Sequence, residues 1–337
     1  MSHDGNPEWL LPAAIPFNQL KAKDLEECVY WLFDALGARD LEWRTGGSGG
    51  GAADGGRDLE ATFYVPSPDG EMEAERWWIE CKGRKDTLEA DAVKSAVNNA
   101  AALGDLACMV IVTNTTFSNP TRDWVKTWQA SHRQPKVKLW DQATLERQLS
   151  RHPSVVLRLF AEALSPTGRL QALRERFWNK LEYTPPKTLA HLWQARDTLE
   201  IGPLDRVALI TNEFAHGSIE QHPWAAAAKP DELFDTLQIG LVNLPYLWMR
   251  AHSAGVDSSV LIRSFAYLIL AVLQLAAADG VANHMLTLLK DRDGVTLPDD
   301  VVEVLLLPIL GQLAAEMQDV CSTDCDRFCL SFGTDSH

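Results

Sequence analysis

The chain has 337 residues, of which 46% are hydrophobic and 23% are charged, the composition of a soluble globular protein large enough for two domains. Its formal net charge is −15 at pH 7, with −5 on residues 1–160 and −10 on the remainder. This acidic excess argues against a protein that coats nucleic acid through bulk positive charge. Action on a polyanion would need a local basic patch, a metal ion or a partner.

Signals for export or membrane insertion are weak. The N-terminus lacks the basic start and long apolar stretch of a signal peptide. The apolar run at residues 264–277 is too short to span a bilayer and follows Arg263. The cysteines do not form the pattern of a secreted disulfide framework, since three lie in apolar segments and three near the C-terminus. We therefore expect a cytoplasmic protein with no membrane partner.

The first half of the chain alternates helix and strand patterns. Residues 20–36 show helical spacing, and a glycine-rich loop, TGGSGGGAADGGRD, follows. Residues 59–65 alternate as a strand, Asp69-Gly70 predicts a turn, and WWIECK at 77–82 predicts a second strand. The pattern therefore predicts an antiparallel hairpin.

Further elements follow in the order helix, strand, helix, strand, helix. The predicted segments are a helix at 88–103, a strand at 107–113, a helix at 120–131, a strand at 136–140 and a helix at 142–150. Asp141 is the expected N-cap of the last helix. The order predicts a mixed α/β sheet with helices on its faces.

Beyond about residue 165 the strand signal mostly disappears. Helices are predicted at 170–182, 186–199, 230–248, 257–278 and 299–318. We expect an all-α domain here. The predicted organisation is an N-terminal extension at 1–19, an α/β domain at 20–164, a helical domain at 165–320 and a cysteine-containing tail at 321–337.

Glu80 and Lys82 form the most informative pair in the sequence. Side chains alternate along a strand, so both face the same side, about 6.6 Å apart. A hairpin can bring Asp58 beside Glu80, and two carboxylates supply the hard oxygen ligands that Mg²⁺ prefers. The Cys81 backbone carbonyl is a further expected ligand. Lys82 would orient or help deprotonate the attacking water.

The glycines before Asp58 fit a close approach of a nucleic-acid backbone. Gly55 and Gly56 allow a tight turn beside the carboxylate. The loop lacks GK[S/T] and leads into a strand, so neither a P-loop nor a dinucleotide-binding turn fits.

DGGRD, followed about twenty residues later by IECK, resembles the catalytic core of the PD-(D/E)xK nuclease superfamily, in particular Mrr-like restriction endonuclease domains. The resemblance spans roughly residues 20–155, including VIVTNTTFS and KVKLWDQATLERQL. It implies a restriction-endonuclease-like mixed sheet in which Asp58, Glu80 and Lys82 are catalytic. Glu26 is then an accessory acid, with Glu27 as a competitor for that role. Many Mrr-like domains have glutamine where Glu80 stands.

Other residues admit both a functional and a structural interpretation. Arg84 and Lys85 would contact phosphates beside the cleaved bond, or lie in a solvated turn. Trp78 would stack on a base, although a packed aromatic under the first helix is the favoured interpretation. The C-terminal cysteines share one face if that segment is helical, but their spacing is not typical of zinc sites. They are Cys321, Cys325 and Cys329.

These patterns support two hypotheses. The first is a Mg²⁺-dependent endonuclease, in which Mn²⁺ would substitute, acting on DNA in bacterial restriction or anti-phage defence. Its helical domain would serve recognition, oligomerisation or regulation, with a regulatory protein partner or a homo-oligomer. The alternative is a catalytically inert nuclease fold that acts as a scaffold through its helical domain.

Overall fold

A computed structural model describes residues 15–20, 22–44, 58–275, 291–292, 295–296, 303–304 and 307–323. The chain divides into two compact units, Met1–Ser165 and Pro166–His337.

In the described residues of the first unit, five strands combine with five α-helices. The strands are β1 (Arg39–Trp43), β2 (Leu59–Pro66), β3 (Met72–Lys82), β4 (Cys108–Thr113) and β5 (Lys136–Trp140). The helices are α1 (Ala22–Ala35), α2 (Ala90–Ala101), α3 (Asn119–Ser131), α4 (Gln142–Leu149) and α5 (Pro153–Phe160).

The strands form one mixed sheet in the order β1-β2-β3-β4-β5. β1, β2 and β3 pair antiparallel, whereas β3, β4 and β5 pair parallel. The predicted hairpin and the mixed sheet are therefore confirmed. The edge strand β1 was not predicted from the sequence, because it is short, mostly exposed and lacks a clean apolar alternation.

The hairpin turn lies at residues 67–71. Gly70 has φ +89°, which favours glycine, and its N–H donates to the Ser67 carbonyl at 2.9 Å. The Ser67 N–H donates to the Glu71 carbonyl at 2.7 Å and closes the turn. β3 therefore begins at Met72, earlier than the polar sequence EMEAE indicated.

Helices cover both faces of the sheet. On one face, Phe33 of α1 packs against Phe63 and Trp77, with ring centroids 6.1 and 6.4 Å apart respectively. On the other face, Trp78 joins a buried cluster built from β4, α2 and α3. The interpretation of Trp78 as a residue under the first helix is wrong, since strand alternation turns it away from Trp77.

Two N-caps fix the helices that follow the parallel strands. Ser118 accepts from the Thr121 N–H at 3.2 Å, and Asp141 accepts from the Thr144 N–H at 2.9 Å. Asp141 also accepts from Arg122 at 2.6 Å, which links the start of α4 to α3. The predicted cap at Asp141 is confirmed.

The second unit is mainly helical. Its described α-helices are α6 (Pro166–Lys180), α7 (Pro186–Gln194), α8 (Pro203–His216), α9 (Pro230–Ser253), α10 (Ser259–Leu275) and α11 (Leu307–Thr323). A two-stranded ribbon joins β6 (Asp291–Arg292) and β7 (Val295–Thr296). α11 continues through Cys321, and the predicted tail at 321–337 stays a prediction. Cys325 and Cys329 lie outside the described residues.

α8 was missed by the sequence analysis. Residues 205–213 are all buried although five of them are polar or charged, so polarity in the sequence does not mark an exposed face of this helix. Glu213 accepts from the Trp224 Nε1–H at 3.2 Å and lies 3.0 Å from His222 Nδ1, so it anchors the segment between α8 and α9. Among the described residues, no helix is both long and apolar enough to cross a bilayer.

Candidate active site

Asp58 stands directly before β2, where contacts to both neighbouring strands fix its position. Its N–H donates to the Ile79 carbonyl at 3.1 Å, and its carbonyl accepts from the Arg44 N–H at 2.8 Å. Its carboxylate oxygen Oδ2 accepts from the Cys81 N–H at 2.6 Å. The Asp58 carboxylate therefore accepts a hydrogen bond from Cys81 in place of a backbone carbonyl of the neighbouring strand.

Glu80 lies beside Asp58 in the sheet. The antiparallel register pairs Leu59 with Ile79, so the next position along the ladder places Asp58 beside Glu80. Lys82 Nζ forms an ion pair with Glu80 Oε1, and the two side chains are 26% and 4% exposed. The other oxygen, Glu80 Oε2, is buried and has no hydrogen-bond partner among the described residues.

The electrostatics of Glu80 favour a cation. Burial raises the pKa of the Glu80 carboxyl group, the ion pair with Lys82 opposes this effect, and the charge of Asp58 adds to it. The net direction is upward, so the positive charge of Lys82 only partly compensates the buried carboxylate. A further positive charge at Oε2 would stabilise the ionised form.

Cys81 contributes through its backbone. Its N–H reaches Asp58, and the N–H and C=O of one strand residue point to the same side, so its carbonyl points to the Asp58 side. Burial, followed by the charges of Asp58 and Glu26, raises the pKa of the Cys81 thiol well above its ordinary value. The thiol therefore stays protonated and is a poor metal ligand.

Glu26 and Glu27 lie in α1, and their surroundings differ. Glu26 Oε2 accepts from the Trp43 Nε1–H at 3.0 Å, and its charge acts on Cys81. Glu27 acts on the thiol of Cys28, whose pKa is raised by burial and by this charge to about 12. Of the two acids, Glu26 is therefore the one whose field reaches β3 at the site.

The predicted phosphate-contacting residues follow β3. Arg84 and Lys85 are exposed, and the Arg84 N–H donates to Asn114 Oδ1 at 2.8 Å, which ties this loop to the residues after β4. Both lie at the carboxyl end of the parallel strands. Gly55 and Gly56 lie outside the described residues, so the prediction for them stays a prediction.

The residues present fit a divalent cation only if a backbone carbonyl, water molecules and substrate oxygens complete its ligand set. Among the described residues, no three His, Cys, Asp or Glu side chains cluster as a metal centre. Two carboxylates and a carbonyl match Mg²⁺, which keeps several waters and binds substrate oxygens. A cation is favoured here because Glu80 Oε2 is buried and accepts no hydrogen bond from the described residues.

An ionic network that the sequence did not predict lies beside these residues. Glu60, two residues after Asp58 and mostly buried, pairs with Arg44 at 3.4 Å and Arg76 at 3.2 Å. Strand alternation already placed Glu60 on the Asp58 side of β2. The two arginines could not be recognised, because they come from neighbouring strands whose register the sequence does not reveal.

Comparison with known proteins gives a family match to the sheet-containing part of the chain. Residues 17–149 match the Mrr_cat family of restriction endonucleases. The resemblance carried by DGGRD and IECK is confirmed, as is the restriction-endonuclease-like fold of a mixed sheet flanked by helices. This part of the chain is similar to that family, and Asp58, Glu80 and Lys82 lie within the matched residues.

One solved structure with similarity is the restriction endonuclease MspJI in complex with a 27-mer oligonucleotide. The likeness covers 37% of this chain and 27% of that chain, with 20% sequence identity and a TM-score of 0.28. The match therefore spans only about a quarter of the MspJI chain. No curated protein matches the chain.

Proposed function

We propose that this protein is a metal-dependent endonuclease that hydrolyses phosphodiester bonds in DNA, with Mg²⁺ as cofactor and Mn²⁺ as a substitute. The observation that carries the proposal is the convergence of Asp58, Glu80 and Lys82 at one point of the β2–β3 pair. The buried, unpartnered Glu80 Oε2 supports a cation at this point. The restriction endonuclease family match supports the reaction class.

Each side chain has a distinct role. Asp58 and Glu80, with the Cys81 carbonyl, would hold the cation. When bound, the cation supplies Lewis acidity that offsets negative charge developing on the phosphate. Lys82 orients the attacking water and assists its deprotonation, and Glu26 serves as an accessory acid.

Substrate positioning falls to basic and glycine residues around the site. Arg84 and Lys85 contact phosphates that flank the cleaved bond, because both are exposed on the loop that follows Lys82. Gly55 and Gly56 let the DNA backbone approach Asp58. Contacts to phosphates fix the position of the duplex without reading its sequence.

The helical unit supplies recognition, oligomerisation or regulation. Residues 161–337 carry a net charge of −10, which disfavours tight binding of a polyanion without help. We therefore propose a nuclease restrained until a regulatory partner or a second copy positions it, within restriction or anti-phage defence. Rapid plasmid degradation by the purified chain alone would contradict this restraint.

The test is cleavage of supercoiled, linear and single-stranded DNA and of RNA with Mg²⁺ or Mn²⁺. The intact chain is compared with Asp58→Ala and Lys82→Ala, and the exposed Asp123→Ala and Lys126→Ala variants of α3 serve as matched controls. We expect slow DNA cleavage by the intact chain and both controls, as restraint requires, and at least a hundredfold loss in the two site variants.

The outcomes separate the hypotheses. Cleavage that survives both site substitutions places the chemistry elsewhere and refutes the assigned site. Cleavage of RNA alone refutes the DNA assignment. Absence of cleavage on every substrate, with and without partners, favours an inert scaffold.

A further inference from the structure

Arg44 is the basic residue in closest contact with the Asp58 main chain in the described part of the site. Its N–H donates to the Asp58 carbonyl at 2.8 Å, which places it directly beside Asp58 just after β1. Glu42 pairs with Glu60 across the ladder, so alternation puts Arg44 on the same sheet face as Glu60 and Glu80. Two strand spacings, about 9.6 Å, separate its backbone from β3.

The Arg44 side chain is held by two ion pairs, but these do not engage all of its N–H donors. Its Nη2 lies 3.1 Å from Glu42 Oε2 and 3.4 Å from Glu60 Oε1. Both contacts use Nη2, and the Nε and Nη1 donors have no partner among the described residues. The side chain is 39% exposed, so a ligand from solvent can reach the guanidinium group.

Glu60 keeps the guanidinium in place. Its side chain is only 10% exposed, and its second oxygen accepts from Arg76 at 3.2 Å. A buried carboxylate fixed from two sides restricts the rotamers of Arg44, which reduces the entropy lost on binding. The planar fork of an arginine then suits a phosphate group.

Arg76 does not share this capacity. Its Nη1 donates to Asp105 at 2.8 Å and its Nη2 donates to Glu60 at 3.2 Å, so both ends of its guanidinium are engaged. It also lies four residues before Glu80, about 13 Å along the strand. Arg76 therefore completes the network, while Arg44 presents donors beside the site.

We propose that Arg44 binds a backbone phosphate of the substrate next to the phosphate that is cleaved, and so positions the strand over Asp58 and Glu80. The inference rests on the proposed nuclease function. Arg44 follows β1 on one side of the β2–β3 pair, and the loop of Arg84 and Lys85 is tied to Asn114 after β4 on the other side. The DNA strand is thereby gripped on both sides of the cleaved bond. Arg44 acts by positioning and contacts no reacting atom.

The experiment measures binding of a labelled duplex oligonucleotide by fluorescence anisotropy over a series of salt concentrations, with Ca²⁺ replacing Mg²⁺. The full-length intact chain is compared with Arg44→Met, Arg44→Lys and Arg133→Met. Arg133 is the matched control, because it is exposed in the loop before β5, at the other end of the parallel strands. Mg²⁺-dependent cleavage and the melting temperature are measured for each variant.

Each phosphate contact contributes about 0.9 to the slope of log affinity against log salt concentration. We expect Arg44→Met to reduce the slope by about 0.9, and we expect Arg44→Lys and Arg133→Met to keep the intact value. Cleavage by Arg44→Met should show a raised KM with a smaller change in kcat, because ground-state binding is lost.

Two failures are distinguishable. If the intact chain neither binds duplex DNA nor cleaves it with Mg²⁺, the nuclease proposal fails. If the intact chain binds and cleaves while Arg44→Met keeps the intact slope, only the assignment of Arg44 fails. A lower melting temperature of Arg44→Met with an unchanged slope shows a purely structural ion pair and also overturns the assignment.

Discussion

Replacing Glu80 with glutamine should stabilise the metal-free protein and abolish its response to Mg²⁺. Glu80 carries a buried negative charge, one oxygen of which has no partner among the described residues. Its ion pair with Lys82 compensates only part of the cost, since Lys82 reaches solvent. Glutamine has the same shape without the charge, and Lys82 remains hydrated when the pair is lost.

The magnitude follows from two opposing contributions. A buried acceptor without a donor costs about 1–3 kcal/mol, and a partly exposed ion pair contributes about 0.2–1 kcal/mol. The amide leaves a neutral polar group at the same place, so we expect a net gain of roughly 1 kcal/mol without metal. A bound cation at a hundred times its Kd stabilises the intact protein by about 2.7 kcal/mol, which reverses the order.

The assay is thermal unfolding of the full chain in EDTA and in saturating Mg²⁺. Glu73→Gln is the matched control, because Glu73 is exposed on the same strand. In EDTA, Glu80→Gln should melt about 2–4 °C above the intact chain, and in Mg²⁺ it should melt below it. The reasoning is refuted if Glu80→Gln is less stable in EDTA, or if Mg²⁺ raises its melting temperature as much as that of the intact chain.

Two further predictions concern stability. Burial acts to raise the pKa of Asp141, but hydrogen bonds from Thr144 and Arg122 outweigh burial and lower this pKa. The ionised Asp141 side chain therefore stabilises the fold above the unfolded pKa of about 3.9, and this stabilisation is lost as pH falls through the lowered pKa. Asp141→Asn should lower the free energy of unfolding by about 1 kcal/mol at pH 7. The difference should vanish at a pH below both the folded and the unfolded pKa of Asp141, and a difference that persists there would contradict this. At Gly240, a Cβ would lie 2.8 Å from Phe265 Cε1 between buried helices, so Gly240→Ala should cost about 1–3 kcal/mol in thermal or denaturant unfolding. Gly104→Ala, where a Cβ meets nothing within 4 Å, is its control, and equal stability of the two variants would refute the packing argument.

The candidate site was predictable because strand geometry has a short, strict period. Alternation placed Glu80 and Lys82 on one face, and the hairpin signal at Asp69-Gly70 brought Asp58 toward them. The structure adds what the pattern could not give, namely the bond from the Cys81 N–H to Asp58 and the unpartnered oxygen of Glu80. These depend on the local register and on burial by neighbouring elements.

The elements that were missed lack a local signal. α8 lies at the centre of the helical core, and its buried residues include polar and charged side chains, so their polarity gives no sign of burial. β1 is an exposed edge strand held mainly by its pairing with β2. Arg44 gains its position from that same pairing, and a contact between strands is invisible in a single sequence.

The central claim is that Asp58 and Glu80 grip one divalent cation. Anomalous diffraction from crystals of the full-length protein grown with Mn²⁺ tests it most directly. The account predicts a peak between the two carboxylates, in contact with Glu80 Oε2 and the Cys81 carbonyl, and its absence from Asp58→Ala crystals. A Mn²⁺ peak at another site, with none between Asp58 and Glu80, would contradict the account.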